Sequence, residues 1–450
     1  MIKNKFESFD IIIIGSGLAG SEAGIISACF GQKTLIINLS MDNPSFLKQS
    51  SKIGGNFNEF TLDKIDAMGG FINKAININR IAQKTETRSN HKEISNIVDK
   101  RKFSLYYKYF LEKQDNLGTR QGQVTDVEFC LDNNVKNYKI KLSDGSIFFS
   151  KSLIISTGTY FNAKVFWGNN VVKAGRHGEI NSKTFCESLK NFGYDFKKEK
   201  IFIGPRIDKR TINLKKIKKI KSGANTNNIL PLEAENFKNY NQNIIWQKYY
   251  SFKSKAKKEE ILKYVNSLAK NYKKEYFFKL LNENYSKFNL EDCKNDEIEI
   301  ELLPEGDRTV EVYLNGFNFA LSDEEQLRIL NKFYGLEDAL IIRPGYCIEY
   351  EVLKSGQLKP NLESIIHNNI FFAGEVNGSR DYEEIALQGL TAGTYASLKL
   401  LESSKLLKKE EFINIVKLME KILRGSGNRD KDVKDFKEII LEKLEPLKNN

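Results

Sequence analysis

Residues 10–22 read DIIIIGSGLAGSE, an apolar strand followed by a GxGxxG turn and the start of a helix. In this setting Gly15 permits the tight turn, Gly17 lets the backbone approach a pyrophosphate, and Gly20 lets the helix pack closely on the strand. The pyrophosphate would lie at the helix N-terminus, where free N–H groups and the helix dipole favour negative charge. The stretch therefore predicts dinucleotide binding by Gly15, Ser16, Gly17, Leu18, Ala19 and Gly20. The alternative is a glycine-rich turn without a ligand.

The next strand, Thr34–Asn38, completes a βαβ unit but leaves the nature of the dinucleotide open. It ends at Asn38, where a Glu or Asp would normally accept hydrogen bonds from the ribose hydroxyls. An asparagine can still form such bonds, but it carries no charge that would exclude a 2′-phosphate. The first motif by itself therefore does not distinguish FAD from NAD.

Two later segments repeat the pattern of an apolar strand followed by glycine. Ser152–Ser156 precedes Thr157-Gly158, and Ile370–Ala373 precedes Gly374. Ligands bind at the carboxyl ends of strands in open α/β sheets, so the pattern predicts one nucleotide-binding domain assembled from distant segments.

The predicted fold class is α/β, with a discontinuous Rossmann-type domain, an inserted second α/β domain and a short helical C-terminal tail. A region rich in Lys, Tyr and Asn interrupts the nucleotide-binding segments, and after about Leu401 the chain becomes charged and helical. The predicted boundaries are 1–200 and 301–400 for the discontinuous domain, 201–300 for the insertion and 401–450 for the tail.

The formal charge of +12 has two explanations of equal weight. A basic chain fits a polyanionic partner such as nucleic acid. However, only 13 of the 70 basic residues are Arg, and Asn, Ile and Phe are also abundant. A nucleotide-composition bias would produce the same charge without selection for binding.

Composition also excludes several classes of protein. The five cysteines form no CxxC pair and the three histidines form no HExxH motif, so neither a disulfide scaffold nor a metal site is expected. The early apolar run Ile11–Ile14 is far shorter than the roughly 18 residues that a membrane span needs. Met1–Phe9 lacks the apolar core of a secretory signal. The sequence therefore predicts a cytoplasmic protein without a membrane partner.

The segments after residue 340 carry a family resemblance. They read IIRPGYCIEY at 341–350, LKPNLES at 358–364, FFAGEVNG at 371–378 and YEEIALQGLTAG at 382–393. Earlier segments agree, namely DAMGG at 66–70, PRIDKRTI at 205–212 and LPEG at 303–306. Over about residues 1–400 the chain resembles the MnmG (GidA) family of flavoproteins, which modify the wobble uridine of tRNA. It is closer to that family than to the related folate-dependent methyltransferase TrmFO.

The resemblance implies an FAD that lies along the Gly15–Gly20 turn. The rest of its cradle would comprise Gly54, Gly55, Val124, Thr157, Gly158, Gly374 and Glu375, beside Asn38 at the end of the second strand. The helix after Gln388 and Gly389 would point its N-terminus at the flavin, where the helix dipole stabilises negative charge on the reduced ring.

The resemblance also implies co-substrates and partners. The inserted domain would bring NADH or NADPH to reduce the flavin, and methylene-tetrahydrofolate would be the one-carbon donor. The product would carry a carboxymethylaminomethyl-type group at uridine C5. The implied partners are tRNA, an MnmE-like GTPase and a second copy of the chain in a homodimer.

The chain departs from the family at two cysteines. Residues 48–52 read KQSSK and residues 284–287 read NYSK, with Cys293 nearby but not equated with the family's cysteine. A serine is a poor replacement, because its hydroxyl is barely ionised at neutral pH. The catalytic residue therefore stays unknown.

The length is a further departure. The chain ends at Asn450, whereas family members continue into a helical domain, so the resemblance is to a short form. Two alternatives follow from these departures. One is an FAD-binding accessory protein or degenerate paralogue without modification chemistry, and the other is a flavoenzyme acting on another RNA or on a small molecule.

Two charged residues and a lysine run complete the expectations. Arg343 is expected to act in the site, whereas Glu305 is expected to pair with a basic residue and hold a loop. The run Lys215–Lys221 would face either tRNA phosphates or solvent, with equal weight for both.

Overall fold

The computed structural model describes residues 6–55, 59–88, 91–132, 135–222, 249–273, 279–281, 296–424 and 434–435. The strands are β1 (Phe6–Ile14), β2 (Thr34–Asn38), β3 (Lys52–Gly54), β4 (Arg80–Arg88), β5 (His91–Val98), β6 (Leu117–Gln121), β7 (Val124–Asp132), β8 (Val135–Leu142), β9 (Ile147–Ile155), β10 (Lys164–Trp167), β11 (Asn170–Val172), β12 (Phe196–Ile203), β13 (Arg206–Asp208), β14 (Lys218–Lys221), β15 (Tyr249–Lys257), β16 (Glu297–Pro304), β17 (Glu311–Asn315), β18 (Ile341–Arg343), β19 (Tyr346–Leu353) and β20 (Ile370–Phe372). The helices are α1 (Leu18–Cys29), α2 (Glu59–Ala67), α3 (Ile72–Asn79), α4 (Lys100–Glu112), α5 (Lys183–Asn191), α6 (Lys258–Leu268), α7 (Asp323–Leu330), α8 (Tyr382–Ser403) and α9 (Lys409–Arg424).

The first sheet contains β1, the strand that precedes the Gly15–Gly20 turn. Its order is β6-β2-β1-β9-β8-β7, with β20 beside β9. β1 is parallel to β2 and to β9, and β20 is parallel to β9, so three segments that are distant in sequence lie side by side. The apolar runs of these strands are buried, as expected for parallel strands covered on both faces. The predicted discontinuous α/β fold is therefore confirmed.

The second sheet has six strands in the order β14-β15-β16-β17-β13-β18, which pair antiparallel. The sequence-based boundary at residue 300 falls inside β16, which pairs with β15 on one side and with β17 on the other. A boundary there would separate strands that share a ladder of hydrogen bonds. We therefore propose that the second unit spans residues 206–343 rather than 201–300.

Two smaller sheets connect these units. One has the order β11-β10-β19-β12, and every residue of its strand β19 is buried. The other has the order β3-β5-β4. In the predicted tail, α9 buries Ile415, Met419 and Ile422 in the same core as α1 and α8. Within the described part of the chain, no helix combines the length and the apolar character needed to cross a membrane.

The helices α1 and α8 pack so closely that their backbones are in contact. A Cβ added to Gly389 would lie 2.0 Å from the carbonyl oxygen of Ala19, and one added to Gly393 would lie 2.7 Å from that of Ala23. Only glycine allows such an approach at these two positions of α8. The packing places the first turn of α8 beside the glycine turn that follows β1.

Candidate functional site

A cavity of about 290 Å³, here called the first cavity, opens at the carboxyl ends of β1, β2 and β9. The predicted site residues that line it are Gly15, Ser16, Gly17, Leu18, Asn38, Val124, Thr157, Gly158 and Glu375. They come from five separate segments of the chain, which the first sheet brings to one edge. This edge is where open α/β sheets bind nucleotides.

The three glycines of the turn differ in why glycine stands at their positions. Gly15 has a φ of +105°, and a Cβ there would lie 2.4 Å from the carbonyl oxygen of Ser156. A Cβ on Gly20 would lie 1.8 Å from the carbonyl oxygen of Gly15. Gly17 has an ordinary φ of −63°, and a Cβ there would meet no protein atom within 4 Å. The fold itself therefore requires Gly15 and Gly20, whereas Gly17 leaves open space beside the cavity.

The polar groups around this turn fit a phosphate ligand. The helix α1 begins after Gly17 without a side-chain cap, so its first N–H groups are free to bind an anion. The hydroxyl oxygens of Ser16 and Thr157 are buried and have no hydrogen-bond partner among the described residues. Buried polar atoms normally have partners. A pyrophosphate in the first cavity would supply acceptors for both hydroxyls.

Asn38 supports the turn from the end of β2. Its Oδ1 accepts a hydrogen bond from the backbone N–H of Ser16 at 3.3 Å, and its Nδ2 donates to the carbonyl oxygen of Ser40. Both ends of the amide are thus engaged within the protein, although the side chain also lines the first cavity.

A second group of predicted residues lies behind the cavity wall. The side-chain oxygen of Gln388 accepts from the backbone N–H of Gly374 at 2.8 Å and from Asn377 at 3.0 Å. A Cβ on Gly374 would lie 3.0 Å from that of Ala19, and Gly389 also packs on Ala19. These residues fix the segment that carries Glu375.

The expectation that a helix begins after Gln388 and Gly389 is wrong. The helix α8 begins at Tyr382, with Asp381 at its N-cap and acidic residues in its first turn, which the helix dipole favours. Gln388 and Gly389 therefore lie in its second turn. Tyr382 itself lines the first cavity.

Gly54 and Gly55 lie outside the lining of the first cavity. Gly54 ends β3 with a φ of +90°, and a Cβ there would lie 2.4 Å from the carbonyl oxygen of Ile94 on β5. Gly55 packs in the same way beside Ser95. Their small size serves the pairing of β3 with β5, which the sequence pattern alone did not distinguish from a cofactor contact.

The most important residue that sequence reasoning missed is Lys48. Its ammonium group forms an ion pair with Glu375 and lies 3.3 Å from the hydroxyl of Thr159. Burial lowers the pKa of Lys48, and the charge of Glu375 opposes that effect. The sequence held no signal for this role, because Lys48 is one of many lysines and its partner lies more than 300 residues away.

A second cavity, of about 580 Å³, adjoins the first. The two share Asn43, Phe46, Lys48 and Arg176 as lining residues. Half of its other lining residues are cationic or aromatic, namely Arg101, Arg206, Arg343, His177 and Tyr346, and one, Asp42, is acidic. Such a lining suits an anionic ligand that carries a planar ring. Arg343 thus lies where a site role was expected, and it also pairs with Glu311 at 2.9 Å.

A buried ion cluster holds the segment that carries Lys48. Lys100 donates to both carboxylate oxygens of Glu305, at 2.8 and 3.0 Å, and to the carbonyl oxygen of Gln49 at 2.8 Å. Arg206 donates to the carbonyl oxygens of Lys48 and Gln49 at 2.9 and 3.3 Å. Burial lowers the pKa of Lys100 to about 7 against the effect of Glu305. Glu305 therefore holds a loop, as the sequence analysis expected.

The described cysteines lie away from both cavities. Cys186 and Cys347 are buried, and burial raises the pKa of the Cys186 thiol well above its usual range and that of Cys347 to about 12. Cys29 and Cys130 are partly buried, on α1 and β7. Cys293 and the segment 284–287 lie outside the described residues. Among the described residues, no thiol lines the first or the second cavity.

Comparison with known proteins connects this geometry to one family. A family model described as glucose inhibited division protein A matches residues 10–404. The tRNA uridine 5-carboxymethylaminomethyl modification enzyme MnmG of Karelsulcia muelleri is 31% identical over 440 residues, which cover 93% of this chain and 68% of that protein. MnmG of Prochlorococcus marinus is 29% identical over 428 residues, covering 88% of this chain and 62% of that protein.

A solved structure agrees with the sequence relatives. GidA of Aquifex aeolicus superposes with a TM-score of 0.74 at 26% identity, covering 88% of this chain and 64% of the other. The chain therefore spans about two thirds of the length of the proteins that it matches.

Proposed function

This chain belongs to the glucose inhibited division protein A family, and on that premise we propose that it is an FAD-dependent enzyme that modifies the wobble uridine of tRNA. The proposal is carried by 31% identity over 93% of the chain to a relative named for tRNA uridine modification. The group added at uridine C5 would be of the carboxymethylaminomethyl type. The glycine turn at the first cavity supports the same proposal.

The residues that would hold FAD are those that leave polar groups without a partner, or open space, beside the first cavity. The free N–H groups of α1, the open space at Gly17 and the unpartnered hydroxyls of Ser16 and Thr157 fit the pyrophosphate. When bound, FAD would supply hydride and one-carbon transfer chemistry. Lys48, Glu375 and Tyr382 would border its reactive half, and the second cavity would admit the substrate.

We propose the remaining participants from the family resemblance. NADH or NADPH would reduce the flavin, methylene-tetrahydrofolate would donate the one-carbon unit, and an MnmE-like GTPase would act together with a homodimer of this chain in the cytoplasm. The cationic lining of the second cavity supports a polyanionic substrate such as tRNA.

The decisive experiment is mass spectrometry of tRNA nucleosides from a host whose gene for this protein is deleted. We expect the wobble uridine modification to disappear and to return when the wild-type gene is restored. Restoring the Gly17→Ala variant should return less of it, because that variant is expected to bind FAD more weakly. Unchanged nucleosides in the deletion strain would reject the proposed activity.

A second candidate is an FAD-binding accessory protein without modification chemistry. It is favoured by the absence of a thiol from both cavities within the described residues, because a thiolate is the nucleophile that the family resemblance implies. This candidate predicts a yellow, FAD-containing protein whose deletion leaves the modification in place. The same pair of measurements therefore separates the two.

A further inference from the structure

The first cavity contains a balanced set of four charges. Its charged lining residues are Lys48, Arg176, Glu179 and Glu375, two cations and two carboxylates. Lys48 pairs with Glu375, and Arg176 pairs with Glu179. The side chains of Lys48 and Glu375 are only 12% and 13% exposed, so solvent screens this pair weakly. Removal of any one of the four would leave a net charge inside the cavity.

Lys48 and Glu375 lie at the end of the first cavity where the reactive half of a bound dinucleotide would lie. Asn38 and Val124 mark the end of the cavity at which the ribose nearest β2 would lie, and the turn at Gly15–Leu18 marks the pyrophosphate. The remaining half of the ligand would then extend toward Lys48, Glu375 and Tyr382, which line the same cavity. Lys48 also lines the second cavity, through which a substrate would reach that half.

Three side chains from other elements hold the backbone of Lys48 and Gln49 in place by hydrogen bonds. Arg206 and Lys100 bind the carbonyl oxygens of Lys48 and Gln49, and the hydroxyl of Tyr382 accepts from the N–H of Gln49 at 3.0 Å. These three side chains come from β13, α4 and α8. A lysine on so constrained a segment presents its charge at one place.

We propose that Lys48 tunes the redox state of the flavin, by balancing the carboxylate of Glu375 so that the anionic reduced ring is tolerated in the cavity. This inference rests on the proposed function, because it requires bound FAD. A lone Glu375 carboxylate would oppose negative charge on the ring, since interactions between charges are strong where water is excluded. A lone Lys48 ammonium would favour that negative charge. Substitution of Lys48 alone and of Glu375 alone must therefore shift the reduction potential of the flavin in opposite directions.

The test is a spectroscopic redox titration of the FAD-containing protein and of its variants. With Lys48→Met, the ratio of reduced to oxidised flavin at a fixed potential should fall at least tenfold, which is about 30 mV for a two-electron couple. With Glu375→Gln the ratio should rise. The double variant and Lys48→Arg should both lie near the wild type, because each keeps the charges of the cavity balanced.

Lys52→Met is the matched control, because Lys52 lies on the same segment but outside the lining and 3.9 Å from Glu301. Its potential should equal that of the wild type. Equal potentials in the wild type, Lys48→Met and Glu375→Gln, or shifts of the same sign in both variants, would overturn the inference. If Lys48→Met does not retain flavin, Glu375→Gln still decides through the sign of its shift. A wild-type protein that takes up no FAD would instead count against the proposed function.

Discussion

Gly17 is the residue at which ligand binding can be separated from folding. Its backbone angles suit any residue, and an added Cβ would meet no protein atom. The same Cβ would occupy the place that a pyrophosphate approaches. We predict that Gly17→Ala folds with an unchanged melting temperature but binds FAD at least about tenfold more weakly, measured by fluorescence titration.

Gly118→Ala is the control for this experiment. Gly118 lies on β6, outside the lining of the first cavity, and a Cβ there would make only an ordinary contact of 3.4 Å with Leu35. Its FAD affinity should match that of the wild type. Equal affinity in Gly17→Ala and Gly118→Ala would show that the dinucleotide lies elsewhere.

Glu22 gives the molecule a pH-dependent stability. It is fully buried on α1, where its carboxylate accepts from the N–H of Phe71 at 2.8 Å and from the hydroxyl of Tyr107 at 2.6 Å. Burial raises the pKa of Glu22 from 4.5 to about 7, although both hydrogen bonds oppose that rise. Between these two values the folded state binds more protons than the unfolded state, so the free energy of unfolding falls as the pH rises.

The variant Glu22→Gln should remove this dependence. Its amide keeps an acceptor for Phe71 and a donor for Tyr107, but it has no charge to bury. Chemical denaturation at pH 4.5 and pH 7.5 should show the wild type losing up to about 3 kcal/mol relative to the variant. A constant difference between the two proteins across this range would contradict the assignment.

The individual residues of the site were predictable only where the backbone itself constrains the sequence. Gly15 and Gly20 are required by contacts with Ser156 and with the turn, so their spacing is visible in the sequence. Lys48 faces the cavity because distant side chains hold its segment, and no local pattern records that arrangement. Gly54 shows a related limit, since a tight strand pair and a cofactor contact both require glycine and the sequence pattern does not distinguish them.

At the scale of secondary structure, the packing of α1 on α8 determines the position of the segment that carries Glu375 in the wall of the first cavity. Gly389 is the point of closest approach, because its added Cβ would lie 2.0 Å from the carbonyl oxygen of Ala19. Gln388, its neighbour, holds the backbone of Gly374. A shift of α8 would therefore displace the segment that carries Glu375.

We predict that Gly389→Ala lowers the free energy of unfolding by about 1–3 kcal/mol, the usual cost of overpacking, and also weakens FAD binding. Denaturation and flavin titration would measure the two effects. Glu384→Ala, at an exposed position in the first turn of the same helix, should leave FAD binding unchanged and lower the free energy of unfolding by less than about 1 kcal/mol, the size of a helix-dipole contribution. Full stability in Gly389→Ala would show that the two helices can separate without cost.

The strands of the first sheet were more predictable than the helices that cover it. The bounds of β2 match the sequence expectation, because a buried parallel strand needs an uninterrupted apolar run. The start of α8 was missed, although Asp381, a residue type typical of N-caps, stands at its N-cap position without a side-chain hydrogen bond to the helix. The proposed shift of the boundary at position 300 has a similar cause, because the pairing of β15, β16 and β17 joins residues that are distant in sequence and leaves no local pattern.

Over the whole molecule, the distribution of charge separates two groups of basic residues. On the second sheet Lys253 pairs with Glu299 at 2.5 Å, and Lys255 pairs with Glu297 at 2.6 Å. These cross-strand pairs neutralise much of that face. Around the second cavity Arg176, Arg206 and Arg343 also pair with carboxylates, those of Glu179, Glu305 and Glu311, whereas Arg101 is exposed. The second cavity nevertheless gathers four arginines in one recess, so a polyanion there would meet several cations at once.

From the clustering of arginines at the second cavity we predict which cations bind tRNA. Arg343 lies on β18 and Lys218 and Lys219 lie on β14, at opposite edges of the second sheet and about 24 Å apart at normal strand spacing. The double variant Arg101→Gln/Arg343→Gln should weaken tRNA binding. It should also reduce the slope of log K against log salt by about 1 to 2, because fewer counterions are released from the tRNA when fewer phosphates are contacted. Lys218→Gln/Lys219→Gln should leave that slope unchanged. The reverse result, measured by titration between low and physiological salt, would place the tRNA on the lysine edge instead.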